Sequence, residues 1–101
     1  MAKRRKKIKN GITEVVFRKW KRSIIALFPY EVENSRGDVM SYQRIGQHSS
    51  ANYNYIIVNS KPATQKEYKN LKKELENIGY KLKVIKRMNY DKYLKSYYKN
   101  K

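Results

Sequence analysis

Thr64-Gln65-Lys66-Glu67-Tyr68-Lys69-Asn70-Leu71-Lys72-Lys73-Glu74-Leu75-Glu76-Asn77-Ile78-Gly79 is the stretch from which the fold can be read outward. Thr64 and Glu67 have the S/T-x-x-E spacing of a capping box, in which the threonine hydroxyl accepts from the N3 amide and the glutamate reaches back to the cap. Ala63 and Tyr68 stand where a hydrophobic staple would close over that cap. Tyr68, Leu71, Leu75 and Ile78 then recur at helical spacing, with lysines and glutamates on the other faces, until Gly79 supplies a left-handed stop. The segment predicts an amphipathic helix with one apolar stripe to bury on a sheet.

The strands for that sheet are sought on either side. Thr13 to Trp20 and Ile24 to Phe28 are rich in β-branched and aromatic residues, and the polar Lys21-Arg22-Ser23 between them predicts a β-hairpin. Pro29 is expected to stop the second strand because it has no N–H for a ladder. Asn34-Ser35-Arg36-Gly37-Asp38 concentrates turn formers ahead of a third strand near Val39 to Ile45. Gly46 to Asn54 breaks periodicity and reads as an ordered loop or a short helical turn, and the apolar Tyr55-Ile56-Ile57-Val58 fits a buried strand or a helical turn equally well. Beyond the helix, Tyr80, Leu82 and Val84 alternate with Lys81, Lys83 and Ile85, as a strand does. Asn89 is placed to cap a last helix, in which Tyr90, Tyr93, Leu94, Tyr97 and Tyr98 form a stripe. The expected class is α+β: a three-stranded antiparallel meander plus a fourth strand, one capped amphipathic helix packed on the sheet, and a C-terminal amphipathic Tyr-rich helix. Residues 1–11 read as a flexible basic arm, 12–87 as the compact domain and 88–101 as the C-terminal helix.

At 101 residues the chain holds one core, and with no cysteine it has neither disulfides nor thiolate metal sites. No apolar run approaches the ~20 residues that cross a bilayer, and the basic start is not followed by a signal-peptide core. A cytoplasmic location, with no membrane partner, is expected. The formal net charge is +17. It is uneven: residues 1–9 hold six cations and no acid, and residues 82–101 hold seven cations against Asp91. Between 31 and 60, Arg36 and Arg44 face Glu31, Glu33 and Asp38. Such a field attracts polyanions, although abundant Lys, Asn, Ile and Tyr are also what an A+T-rich genome yields through codon usage.

Catalysis is argued against by elimination. One histidine and eight scattered acids offer no zinc cluster, and Glu31, Glu33 and Asp38, the sole local acidic group, flank a turn and read as a solvated loop rather than a metal site. Phosphate-cradling glycine motifs are absent. His48 beside Ser49 and Ser50 lacks the third group a triad needs, so its first reading is a structural anchor of its loop and its second a ligand contact. No catalytic residue, metal or cofactor is expected, and the chain reads as a non-enzyme. Two binding regions stand out. Lys3, Arg4, Arg5, Lys6 and Lys7 of the arm, Arg18, Lys19, Lys21 and Arg22 around Phe17 and Trp20, and Lys95 and Lys99 among the tyrosines combine cations with aromatic rings, as nucleic-acid surfaces do. Tyr42, Arg44, Gln47, His48, Ser49 and Ser50 gather donors and acceptors around Gly46 and form a candidate ligand loop.

The pieces FRKW followed by IIALFPYE, then SYQRIGQHSSA, then KPATQKEYKNLKKELENIGYKLKV, spanning Val16 to Arg87, resemble a family of small uncharacterised proteins of bacteriophages and prophages. The resemblance implies a phage setting, and with it the cytoplasm of a bacterial host cell, and a compact fold, and transfers no catalytic residues. The leading expectation is a non-catalytic accessory protein that binds nucleic acid or another polyanion. One alternative is an anti-defence inhibitor that holds a host protein or a cyclic oligonucleotide messenger at the Gln47/His48 loop. Another is an interaction subunit forming a homo-oligomer through the tyrosine helix.

Overall fold

The computed structural model describes residues 11–43 and 47–100, with the side chains of Gln47 and Asn100 left aside. The chain is α+β. Strand β1 (Thr13–Trp20) pairs antiparallel with β2 (Ser23–Val32), β2 with β3 (Val39–Gln43), and β3 with β4 (Gln47–Ala51). Helix α1 (Tyr53–Val58) leads into the two-residue strand β5 (Lys61–Pro62), helix α2 (Gln65–Ile78), strand β6 (Leu82–Val84) and helix α3 (Tyr90–Asn100). The outer edge of β1 is shared: β6 lies parallel beside Thr13 to Val15, and β5 antiparallel beside Arg18 and Lys19. The sheet order is therefore β4-β3-β2-β1-β5, with β6 also on β1.

Both faces of this sheet are covered, which is why Val15, Val16, Phe17 and Arg18 are buried in succession. On one face α2 packs Leu71 and Leu75 against Val15, Phe17, Ala26, Phe28 and Tyr42. The other face gathers Val16, Ile25, Leu27 and Val39 under Tyr53 and Ile56 of α1, with Tyr93 and Tyr97 of α3. Thr64 and Glu67 close the capping box, and Gly79 ends α2 at φ 126°.

Three expectations are corrected and one open alternative is decided. Pro29 does not stop β2; the β2–β3 register shifts between Phe28 and Val32, and Pro29 sits in that irregularity, where no ladder donor is required. Residues 47–51 are a strand rather than a loop, the polar edge of the sheet. Tyr55-Ile56-Ile57-Val58 resolves as helix because Asn52 caps it, its side chain accepting from Tyr55 N–H at 2.8 Å. Among the described residues the sheet has six strands where four were expected, because β4 and β5 carry too few apolar residues to announce themselves.

The tyrosine helix is docked on its own sheet. Tyr93 and Tyr97 donate to the Gly37 and Ser35 carbonyls at 2.8 and 2.9 Å, and Ser96 Oγ donates to the Tyr30 carbonyl at 2.6 Å. Gly37, at φ 88°, is required twice over, because a Cβ there would also collide with the Tyr93 hydroxyl. The stripe available for self-association is thereby engaged within the chain, leaving Tyr90 and Tyr98 exposed.

Trp20 pairs with Ser23, so the β1–β2 loop is Lys21-Arg22, and both residues are left-handed at φ 49° and 64°. That is a type I′ turn built without Asn or Gly. Replacing Lys21-Arg22 by Asn-Gly is expected to raise stability by ~1 kcal/mol, read as a higher urea midpoint with unchanged m.

Burial raises the Tyr53 and Tyr80 hydroxyls above the ordinary 10.0, with Met88 N–H partly offsetting it at Tyr53 and the Glu31 charge adding to it at Tyr80. The unfolded chain ionises these tyrosines first. Their contribution is therefore complete below the ordinary value and is lost as pH rises through the raised ones. Alkaline melts monitored by circular dichroism should show stability falling above pH 10.0, the value from which both groups depart, and Tyr53→Phe should delay that fall.

Candidate functional site

Helix α2 keeps two of its glutamates on the sheet side and turns most of its lysines outward. Glu67 turns toward the sheet and meets Lys19 at 3.2 Å, and Glu74 accepts from the Tyr42 hydroxyl. The Thr64 amide and then Lys19 hold the Glu67 carboxyl below its usual range. The outward face, away from Leu71 and Leu75, presents Lys66, Lys69 and Lys73 at i, i+3 and i+7, all exposed and without an ion pair among the described residues. Beside them Lys72 pairs with Glu76 at 2.8 Å. Together with Gln65 and Tyr68 these side chains line an open concavity of about 520 Å³, four lysines against one glutamate.

The hairpin turn lies at the same end of the molecule. Lys19 is the register partner of Lys61 as well as the ion partner of Glu67, which brings β5 and the start of α2 beside the β1–β2 tip. Lys21 and Arg22 are exposed there, with the Lys21 ammonium 4.6 Å from the Trp20 ring centroid. Lys95 and Lys99 are also exposed, but α3 covers the other face of the sheet, so they belong to a different surface. Lys3, Arg4, Arg5, Lys6, Lys7 and Arg44 lie outside the described residues.

Arg18 leaves the set of surface cations. It is 9% exposed, and its guanidinium donates to Ser60 Oγ at 2.8 Å and to the Ile57 and Ser60 carbonyls at 3.0 and 2.9 Å. These acceptors lie at and just beyond the C-terminal end of α1, where free carbonyls attract a cation. The residue fastens α1 to β1.

Among the described residues of the central block, several polar groups are engaged within the sheet. Tyr42 is a core residue, 1% exposed, and is withdrawn from the candidate ligand contacts. Ser41 Oγ donates to the Ser49 carbonyl at 2.9 Å, and Ser50 Oγ donates to Glu33 at 2.8 Å. His48 is exposed on β4, packs edge-on against Tyr42 with centroids 4.6 Å apart, and has the Tyr80 hydroxyl 3.4 Å from Nε2. It is a packing residue of an edge strand, not the anchor of a loop. Among the described residues no group of His, Cys, Asp or Glu is arranged to hold a metal ion, and no helix is long and apolar enough to cross a membrane.

The α2 lysines were legible as a polar helix face but not as a binding surface. The usable signal was angular: projected at 100° per residue, Lys66, Lys69 and Lys73 gather within about 60° on the face turned away from Leu71 and Leu75, with Glu67 and Glu74 between that face and the apolar stripe and Glu76 alone among the lysines.

Arg18→Met should destabilise by ~1–3 kcal/mol by leaving the Ile57 and Ser60 carbonyls without their donor. His48→Ala should cost under ~1 kcal/mol, as expected for an exposed ring whose closest polar contact is long. Urea melts of the two variants check the order, and a larger loss at His48 would show that its contacts with Tyr42 and Tyr80 anchor β4.

No protein-family model, no curated protein and no solved structure matches the chain.

Proposed function

We propose that the chain is a small non-catalytic accessory protein, of the phage type its sequence resembles, that binds nucleic acid through the lysine flank of α2. The observation that carries this reading is the separation of charge on that helix. Its two sheet-facing glutamates are engaged by Lys19 and Tyr42, while Lys66, Lys69 and Lys73 line, without an ion pair among the described residues, a concavity whose one glutamate, Glu76, pairs with Lys72. An ammonium row of this kind neutralises consecutive phosphates and releases their counterions. Lys21 and Arg22 extend the positive surface at the hairpin end. The tyrosine stripe and the β4 serines are occupied within the fold, which favours the basic surface over a site on either of them.

The test is fluorescence anisotropy of labelled oligonucleotides over a salt series. Lys66→Gln/Lys69→Gln/Lys73→Gln is expected to melt at the wild-type temperature and to bind at least tenfold more weakly. Its log K against log salt plot should be shallower by about 2–3, at roughly one unit per lost phosphate contact. Lys95→Gln/Lys99→Gln should change affinity less. Equal affinity of the α2 triple variant and the wild type would remove α2 from the interface.

A further inference from the structure

The lysine concavity continues into a second hollow. Gln65 and Tyr68 line both. The second is smaller, about 320 Å³, and its origin lies in the divided edge of β1. Ile85 N–H donates to the Val15 carbonyl at 2.9 Å, completing the β6 side, and Ala63 N–H donates to the Phe17 carbonyl at 3.2 Å, completing the β5 side. The two strands reach β1 from different parts of the chain and pair with β1 rather than with each other. Between them a hollow remains, with Pro62 and Ala63 on one side, Val84 and Ile85 on the other, and Phe17 lining it as well.

Its chemistry is specific. Phe17 and Tyr68 are stacked there, centroids 4.4 Å apart and planes 12° from parallel. The other lining groups are apolar except for Gln65 and Lys86, both exposed. A planar ring would lie against the Phe17–Tyr68 pair, an amide would meet its hydrogen-bonding edge, and an ammonium would meet a neighbouring anion. A volume near 300 Å³ is at the lower end of small-ligand sites. A planar, edge-polar group attached to a chain of phosphates is a nucleobase on a nucleic-acid strand. Bases in a duplex are held in their own stack, so only an unpaired one can enter.

We propose that the protein binds single-stranded nucleic acid, seating one unpaired base in the hollow between β5 and β6 against Phe17 and Tyr68 while Lys66, Lys69 and Lys73 take the adjoining phosphates. This rests on the lysine flank being a phosphate surface and adds the class of strand it selects.

The experiment compares anisotropy for a labelled oligothymidylate or oligouridylate, an abasic phosphodiester of equal length, and a duplex, at one salt concentration. The base-bearing single strand is expected to bind roughly five- to a hundredfold more tightly than the abasic one, the range for a single base–aromatic stack. Tyr68→Leu should abolish that preference. Gln65→Ala and Lys86→Gln, at exposed positions outside the core, should reduce it, and they decide the matter if Tyr68→Leu does not fold. Equal binding of all three polymers would overturn the base seat while leaving phosphate binding intact, as would a preference surviving Gln65→Ala, Lys86→Gln and a folded Tyr68→Leu. Binding to none of the three would overturn both this inference and the proposed function. An acidic peptide with one aromatic residue that displaces the oligonucleotide and loses affinity in Gln65→Ala and Lys86→Gln would assign the hollow to a protein partner instead.

Discussion

β1 has neighbours on every side. It is hydrogen-bonded to β2 along one edge and to β5 and β6 along the other, with α2 over one face and α1 over the opposite one. Every residue from Val15 to Arg18 must therefore lose its water, and the cost of doing so with a guanidinium is met by the three acceptors around the end of α1. That single constraint explains much of the rest. It fixes where α1 ends, draws Ser60 inward, and leaves β5 only two residues long before the chain must turn to cap α2.

The parts of the fold legible in the sequence are those in which the decisive contacts are local. The capping box joins residues three apart, the hairpin turn closes across two residues, and the α2 stripe repeats within a few turns. Asn89 caps α3 as its position suggests, accepting from Lys92 N–H at 3.1 Å. What escaped were elements defined by partners distant in sequence. Gln47-His48-Ser49-Ser50-Ala51 carries no strand signature of its own and is a strand because β3 supplies its ladder. Arg18 could have been placed by parity, since it shares a strand face with Val16 and Trp20, both packed in the α1-side cluster. The hollow beside Phe17 had no signal, because it is the space between two strands that the sequence separates by the whole of α2.

The electrostatics follow from how few acids there are and how they are used. Glu14 takes Lys92 at 2.7 Å, Asp38 takes Arg36 at 3.1 Å, Glu76 takes Lys72, and Glu33 accepts from Ser50. The acids mainly join elements to one another: α3 to β1, α2 to β1 and β3, and β4 to the segment after β2. Little negative charge is left to moderate the lysines that face solvent. Such a surplus lowers the stability of the compact state through self-repulsion, more at low salt than at high, and the two-sided core is what holds the molecule together against it.

The parallel pairing of Thr13 with Leu82 has a consequence for synthesis. A chain emerging N-terminus first presents β1 and β2 early, yet the Val15 and Phe17 carbonyls wait for Ile85 and Ala63 to be translated. Throughout that interval the nascent hairpin has an open edge beside a Val-Val-Phe run, the kind of template on which neighbouring chains on one messenger join. Every such chain also carries the cations of residues 1–9 and of the hairpin. Like-charge repulsion opposes such joining, so the lysine-rich composition that sets the finished surface bears on the unfinished one as well.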